Sequence, residues 1–232
     1  MKKDLVLVVD SDPQLQRLLR AQLLALDFAV RIASRGEDAL VAAAEFEPDL
    51  ILLALHLPGI SGVETCRRLR EWTHVPIIAL DGRDQEQLAV EALDAGADDY
   101  VGKPFSMVEL LARMRAVLRR VRDWAAPPES ATPLTLRNLT LDLVNRRVLL
   151  DGRVVHFTPT EYELLRVLVA HVGQVVTHRE LLTTVWGAES AGDTQYLHVF
   201  ISQLRHKLEP QPHSPRHILT VPGVGYCLSA EV

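Results

Sequence analysis

Short, largely apolar runs recur through the first half of the chain: Leu5–Val9, Ala29–Ile32, Leu50–Leu55, Val75–Leu80 and one ending at Val101. Runs of this length suit strands buried on both faces. Amphipathic stretches lie between them. Leu15, Leu18, Leu19, Leu23 and Leu26 follow helical spacing, and Met107, Leu110, Leu111, Met114, Val117 and Leu118 form the clearest stripe. Strand and helix in alternation predict a parallel sheet with helices on both faces and a polar site at the carboxyl ends of the strands.

The pattern breaks at Asp123–Pro133 (DWAAPPESATP), where prolines and small residues read as a linker. The remainder reads as α+β. Short β segments come first, at Leu134–Leu136, Leu139–Leu143, Arg147–Leu150 and Val154–Phe157, with an Asp151-Gly152 hairpin signal between the last two. Three helices follow. Thr158 or Thr160 caps the first, Thr177 and Glu180 form a capping box for the second, and the third runs from about Thr194 to Leu208. A final hairpin pairs Ile218–Val221 with Tyr226–Leu228 around Pro222-Gly223-Val224-Gly225.

On a wheel of the third helix, Leu197, Ile201, Leu204 and Leu208 form a core stripe. The opposite face carries Gln195, Val199, Ser202 and His206, with Gln203 on its flank and Arg205 at the edge of the core stripe, its stem long enough to reach outward. A short-chained polar face suits a DNA major groove, although periodicity alone favours a plain solvated face.

Charge does not decide between them. Residues 1–131 hold 16 Lys+Arg against 21 Asp+Glu, and residues 132–232 hold 9 of each, whereas many DNA-binding domains are basic. Seven of the nine histidines lie in the second part, so protonation is expected to raise DNA affinity as pH falls. No apolar run approaches the ~20 residues of a membrane span, and the five apolar residues at Leu5–Val9 are too few for a signal peptide. Cys66 and Cys227 read as two packed thiols. A cytoplasmic protein with no membrane partner and no metal site is expected.

The stretch FTPTEYELLRVLVAHVGQVVTHRELLTTVW at 157–186, LRHKLE at 204–209 and ILTVPGVGY at 218–226 resemble the winged helix-turn-helix of OmpR/PhoB-type response regulators. The resemblance implies a recognition helix with Gln195, Val199, Ser202, Gln203, Arg205 and His206 toward double-stranded DNA, and a wing beside the minor groove. Two departures weaken the wing. Pro222 and Cys227 stand where the family often has arginines, which would flatten the salt dependence of binding.

The first half is similar to a flavodoxin-like (βα)5 receiver domain, through LVLVVDSD at 5–12, PDLILLALHLPGISG at 48–62, VPIIAL at 75–80 and DAGADDYVGKPF at 94–105. ALDAGADDY with PRHILTVPGVGY is most similar to the Kdp potassium-transport regulators within that family. The expected order is receiver 1–122, linker 123–133, winged helix 134–232.

The resemblance assigns Asp10 to the first metal-binding acid and puts Ser11 at the second, with Asp12 adjacent. Ala54 occupies the phosphoacceptor position and Asp81 the Ser/Thr switch position. Lys103 and the aromatic switch residue Tyr100 are kept, and Lys103-Pro104 is a bond often cis in receivers. A methyl group has no oxygen to attack phosphorus, and Mg²⁺ wants anionic oxygen ligands, so no acyl phosphate and weak or absent Mg²⁺ are expected. Lys103 then needs another partner, Asp81 or Asp10, and an Asp81–Lys103 pair would fix the switch. His56 falls where the family binds metal through a backbone carbonyl, so no role is expected of its side chain.

The family dimerises through the receiver, here implying Val90, Leu93, Asp98, Asp99, Glu109, Arg113 and Arg120, with repeated half-sites on the DNA. Three readings stay open. They are a regulator independent of phosphorylation and not an enzyme, with a sensor kinase not required; a conventional regulator with an engineered acceptor; and a ligand-sensing regulator.

Overall fold

The computed structural model describes residues 3–82, 86–125, 133–142, 145 and 147–230. The chain divides into two compact units, 1–118 and 119–232.

In the first unit, β1 (Leu5–Val9), β2 (Ala29–Ala33), β3 (Leu50–Ala54), β4 (Ile77–Gly82) and β5 (Asp99–Lys103) alternate with α1 (Pro13–Ala25), α2 (Gly36–Phe46), α3 (Gly62–Arg70), α4 (Glu86–Asp94) and α5 (Met107–Ala125). The strands are parallel in the order β2-β1-β3-β4-β5. β3 is buried at every position, as a central strand covered on both faces must be. One core joins Val6, Val8, Leu50, Leu52, Ile78, Leu80 and Val101 of the sheet to Leu19 and Leu23 of α1 and to Leu110, Met114 and Val117 of α5.

The leucine stripe of α1 is narrower than its spacing suggests. Leu19 and Leu23 are buried, whereas Leu18 and Leu26 are exposed. Leu18 sits about 100° around the helix from Leu19, and Leu26 lies beyond the last helical residue, at the C-cap. α5 also runs to Ala125, so the first three residues of the expected linker are helical; positions 126–132 of that linker lie outside the described residues.

In the second unit, β6 (Leu134–Leu136), β7 (Leu139–Asp142), β8 (Arg147–Leu150) and β9 (Arg153–Val155) form an antiparallel sheet in chain order. The β8–β9 turn places Asp151 and Gly152 at φ 51° and 76°, the left-handed pair that a two-residue type I′ hairpin requires. α6 (Pro159–Ala170), α7 (His178–Val185) and α8 (Thr194–Leu208) follow. Thr158, not Thr160, caps α6 through a full capping box with Glu161, whereas of the box expected at α7 only one half forms among the described bonds, Thr177 Oγ1 accepting the Glu180 N–H at 3.1 Å. Thr160 is instead fully buried in the first turn.

β11 (Ile218–Val221) and β12 (Gly225–Leu228) form the final hairpin, and a strand not anticipated from sequence, β10 (Val175–Thr177), pairs with β12. That strand ties the start of α7 to the base of the wing. Among the described residues no helix is long and apolar enough to cross a membrane.

Candidate functional site

The carboxyl ends of β1, β3, β4 and β5 gather Asp10, Ala54, Asp81 and Lys103. Asp10 is 2% exposed. Its Oδ2 pairs with Lys103 Nζ at 2.5 Å, and its Oδ1 accepts the Asp12 N–H at 2.9 Å. Asp12 itself is committed to α1, where its Oδ1 accepts the Gln14 N–H at 2.8 Å. Ser11 is exposed and Ala54 is buried. The Lys103-Pro104 bond is cis.

Of the two partners expected for Lys103, Asp10 takes the place and the Asp81–Lys103 pair does not form. Lys103 goes to Asp10, and Asp81 Oδ1 meets His56 Nδ1 at 2.8 Å. Sheet parity explains the choice. Asp81 is in register with Gly102 and Gly82 with Lys103, so Asp81 and Lys103 leave opposite faces of the pleat. Stepping by two from Val8 and Leu52 leads to Asp10 and Ala54 on the same face as Lys103. Asp81 instead shares its face with Tyr100.

His56, whose side chain was expected to be idle, is therefore the partner of a buried carboxylate while remaining 65% exposed itself. The other Asp81 oxygen, Oδ2, is buried with no hydrogen-bond partner among the described residues. Tyr100 is buried, and its hydroxyl donates to the Gly82 carbonyl at 2.9 Å. Burial, followed by the charge of Asp81, holds its phenol above the usual range.

This donor set does not fit a hard divalent cation. One carboxylate is neutralised by Lys103, one is tied to His56, the third caps a helix, and Ala54 offers no side-chain oxygen.

Most of the expected dimer residues are occupied inside one copy. Leu93, Asp98, Asp99, Arg113 and Arg120 are all buried. Asp98 pairs with Arg70 at 2.7 Å and accepts the Ile77 N–H at 2.9 Å, and Asp99 pairs with Arg113 at 3.1 Å. Glu109 reaches the same Arg113 at 3.5 Å. Only Val90 and Glu109 of the set are half-exposed.

In the second unit, α8 buries Leu197, Ile201, Leu204 and Leu208 as its spacing predicts. It also buries Val199 and Phe200, Phe200 lying 5.0 Å from the Trp186 ring. The covered sector therefore extends from the core stripe around one flank. Val199 is only 8% exposed, which removes it from the expected DNA-facing set. The open sector is instead Gln195, His198, Ser202 and His206, with Gln203 half-buried at its border.

A face set directly opposite the core stripe leaves out His198; the apolar pair Val199-Phe200 is the sequence signal that the open sector is rotated toward His198. Arg205 does not reach outward either. Its guanidinium donates to the Ile218 carbonyl at 2.7 and 3.1 Å and to Thr220 Oγ1 at 2.7 Å, clamping α8 to β11, and burial lowers its pKa.

Glu209, just past α8, was also missed. Its Oε1 accepts the His217 and Ile218 N–H groups at 2.8 and 2.9 Å, and its Oε2 accepts that of Arg216 at 2.8 Å, fixing where the wing begins. The wing turn, with Gly223 at φ 72°, presents Pro222 and a half-exposed Val224 rather than a cation.

Two family models match the chain: "Response regulator receiver domain" over residues 6–115 and "Transcriptional regulatory protein, C terminal" over 152–228. The transcriptional regulatory protein KdpE of Mycobacterium tuberculosis is 46% identical over 226 residues, covering 97% of this chain and 99% of that protein. The KDP operon transcriptional regulatory protein KdpE of Escherichia coli is 42% identical over 222 residues, covering 95% and 97%. The DNA-binding response regulator MtrA of Mycolicibacterium smegmatis is 41% identical over 221 residues, covering 95% of each.

Among solved structures, a cysteine-to-serine mutant of RitR matches with a TM-score of 0.76 at 29% identity, covering 97% of this chain and 98% of that one. DrrB of Thermotoga maritima, described as an OmpR/PhoB homologue, matches with a TM-score of 0.52 at 30% identity, covering 98% and 100%. A parallel-sheet receiver followed by a winged helix, matched along nearly its whole length by such regulators, places this chain in the OmpR/PhoB family of DNA-binding two-component response regulators.

Proposed function

We propose that this regulator binds DNA without a covalent phosphate on its receiver. One observation carries the reading: the acceptor position is Ala54, and the groups around it are already paired, Lys103 with Asp10 and Asp81 with His56. Phosphoryl transfer to a carboxylate needs an oxygen nucleophile and a free cation to meet the arriving charge. Neither is provided here. The two internal pairs stand in for phosphate as the determinants of the switch, with Tyr100 held inward against Gly82.

The protein acts in the cytoplasm as a homodimer on repeated half-sites, and a sensor kinase is not required. The domain order is receiver 1–122 and winged helix 134–232. DNA is met by the open face of α8, through Gln195, Ser202, Gln203 and His206. The charged residues of the receiver that were expected to bridge two copies mostly pair within one copy, so Val90 and the half-exposed Leu88 on α4 supply the contact.

The test is to incubate the wild-type chain with acetyl phosphate and Mg²⁺, then measure both its mass and its occupancy in genome-wide DNA capture. The reading expects an unchanged mass and the same sites with and without the phosphodonor. A labile phosphoryl adduct in residues 1–122, or capture that depends on the donor, refutes it. Sedimentation showing only monomer at tens of micromolar, on and off DNA, refutes the dimer.

A further inference from the structure

Three side chains from three elements meet where the recognition helix joins the wing. His178 opens α7, His198 lies on the open sector of α8, and Tyr226 is in β12. The imidazoles stand edge-on, 5.7 Å apart at 74°. Their centroids are 5.5 and 6.4 Å from that of Tyr226. Arg205 lies against the same tyrosine, its guanidinium carbon 5.7 Å from the ring centre. The His178 N–H donates to the Val224 carbonyl at 3.0 Å, locking this corner to the wing turn.

We propose that His178 and His198 form a proton-linked phosphate site, which takes a DNA backbone phosphate between the recognition helix and the wing and binds protons as it does so. The inference rests on the DNA-binding reading of this domain.

The charge balance around the cluster supports it. The titratable and charged groups on the elements that meet there are Tyr196, Arg205, His206 and Lys207 on α8, Arg179 and Glu180 following His178 on α7, Tyr226 and Cys227 on β12, and Glu209 beyond α8, with Lys207 paired to Glu161. Among the described residues no carboxylate bonds either imidazole. Glu209 is committed to three backbone N–H groups near Arg216–Ile218. His206 Nδ1 is engaged with the Ser202 carbonyl at 2.8 Å.

Protonating both rings in the free protein puts two cations beside each other and near Arg205, with no carboxylate bonded to either ring among the described residues. Partial burial and the neighbouring His178 accordingly hold His198 below the ordinary histidine value. A phosphate at this corner supplies the missing anion, reverses that preference and draws in protons. Each proton also adds a cation to a part of the chain with equal numbers of acidic and basic residues. The wing lacks its own arginine at Pro222, so this corner is placed to supply a phosphate contact that the wing turn does not.

The experiment measures binding of the full chain to a fluorescein-labelled random-sequence duplex at constant ionic strength as pH is stepped from 8 to 6. Uptake of one proton gives about a tenfold gain in affinity per pH unit near the histidine range. At pH 6 the dependence of log K on log salt is steeper than at pH 8, by about 0.9 for each added phosphate pairing.

His198→Gln, at an exposed position, is expected to lose most of the pH slope, so that its affinity falls behind wild type far more at pH 6 than at pH 8. His178→Gln/His198→Gln is expected to lose the slope entirely, and His206→Gln to keep it. Binding by wild type with no pH slope overturns the proposal. So does a slope that survives in the double variant. Failure to bind the duplex at any pH refutes the DNA-binding reading itself.

Discussion

Replacing Glu209 with alanine tests whether one carboxylate sets the position of the wing. The side chain is 6% exposed and accepts three backbone N–H groups at 2.8–2.9 Å. Truncation leaves these donors with different fates. Arg216 is exposed, so water replaces the lost oxygen there. His217 and Ile218 are buried, at 3% and 0% exposure, so their N–H groups are orphaned. Each buried unsatisfied donor costs about 1–3 kcal/mol, and two give a loss of about 4 kcal/mol. That is a large share of the ~5–15 kcal/mol typical of a whole domain.

Glu209→Gln separates charge from shape. The amide oxygen still serves His217 and Ile218, but the NH2 group faces the Arg216 N–H, donor against donor. A loss of about 1–2 kcal/mol follows, because neutral acceptors are weaker than carboxylates. Native-state hydrogen exchange reads the result locally. Amides of α8 and β12 that open only with the whole winged helix are expected to exchange about a thousandfold faster in Glu209→Ala, the rate ratio that ~4 kcal/mol implies. Receiver amides, such as those of β3, serve as the internal control. If α8 protection falls by less than about fivefold, roughly 1 kcal/mol, the three bonds do not hold the wing and the reasoning fails.

Three other outcomes follow from the same structure. Cys66 is fully buried and its thiol is pushed up to about 12 by desolvation, while Cys227 is half-buried. A thiol reagent at neutral pH should therefore modify Cys227 quickly and Cys66 only at the rate of unfolding, and two equally fast thiols would contradict this burial. In Gly225→Ala, the added Cβ would overlap the Val176 carbonyl oxygen and crowd Thr177 Cα, both backbone atoms of β10. Loss of protection in β10 and β12 is expected with α6 less affected, and a wild-type melting temperature would exclude that contact.

The third concerns acid stability. His198 has a lowered folded-state pKa, from burial first and the His178 charge second. The unfolded chain takes up the proton first, so this contribution is present above the ordinary value of 6.5 and is lost as pH falls through the lowered folded value. His198→Gln should narrow the difference in urea midpoint of the winged helix between pH 7.5 and pH 5.5. An unchanged or wider difference would reverse the sign of the argument.

Local chemistry made much of the architecture legible. The apolar run Leu50–Ala54 has one stable use, as a central parallel strand. Thr158 with Glu161, Thr177 with Glu180, and Asp151-Gly152 each act within four residues of themselves, so caps and turn are written where they are used. The bounds of α8 also follow from its own periodicity. Motif matching identified the family, and the relatives matched along the chain agree with it.

What the sequence by itself determined is therefore the order and type of most elements, and the absence at position 54 of an oxygen nucleophile. Tertiary structure decided which groups answer one another. Lys103 finds Asp10 across 93 positions because register and pleat put both on one side of the sheet, and His56, in the loop after β3, finds Asp81 across 25. Val199 is closed off and His198 opened by the packing of α8, not by its wheel alone. β10 is strand only because β12 lies beside it. A side chain carries its own chemistry, but its partner is set by the folding of distant segments into contact.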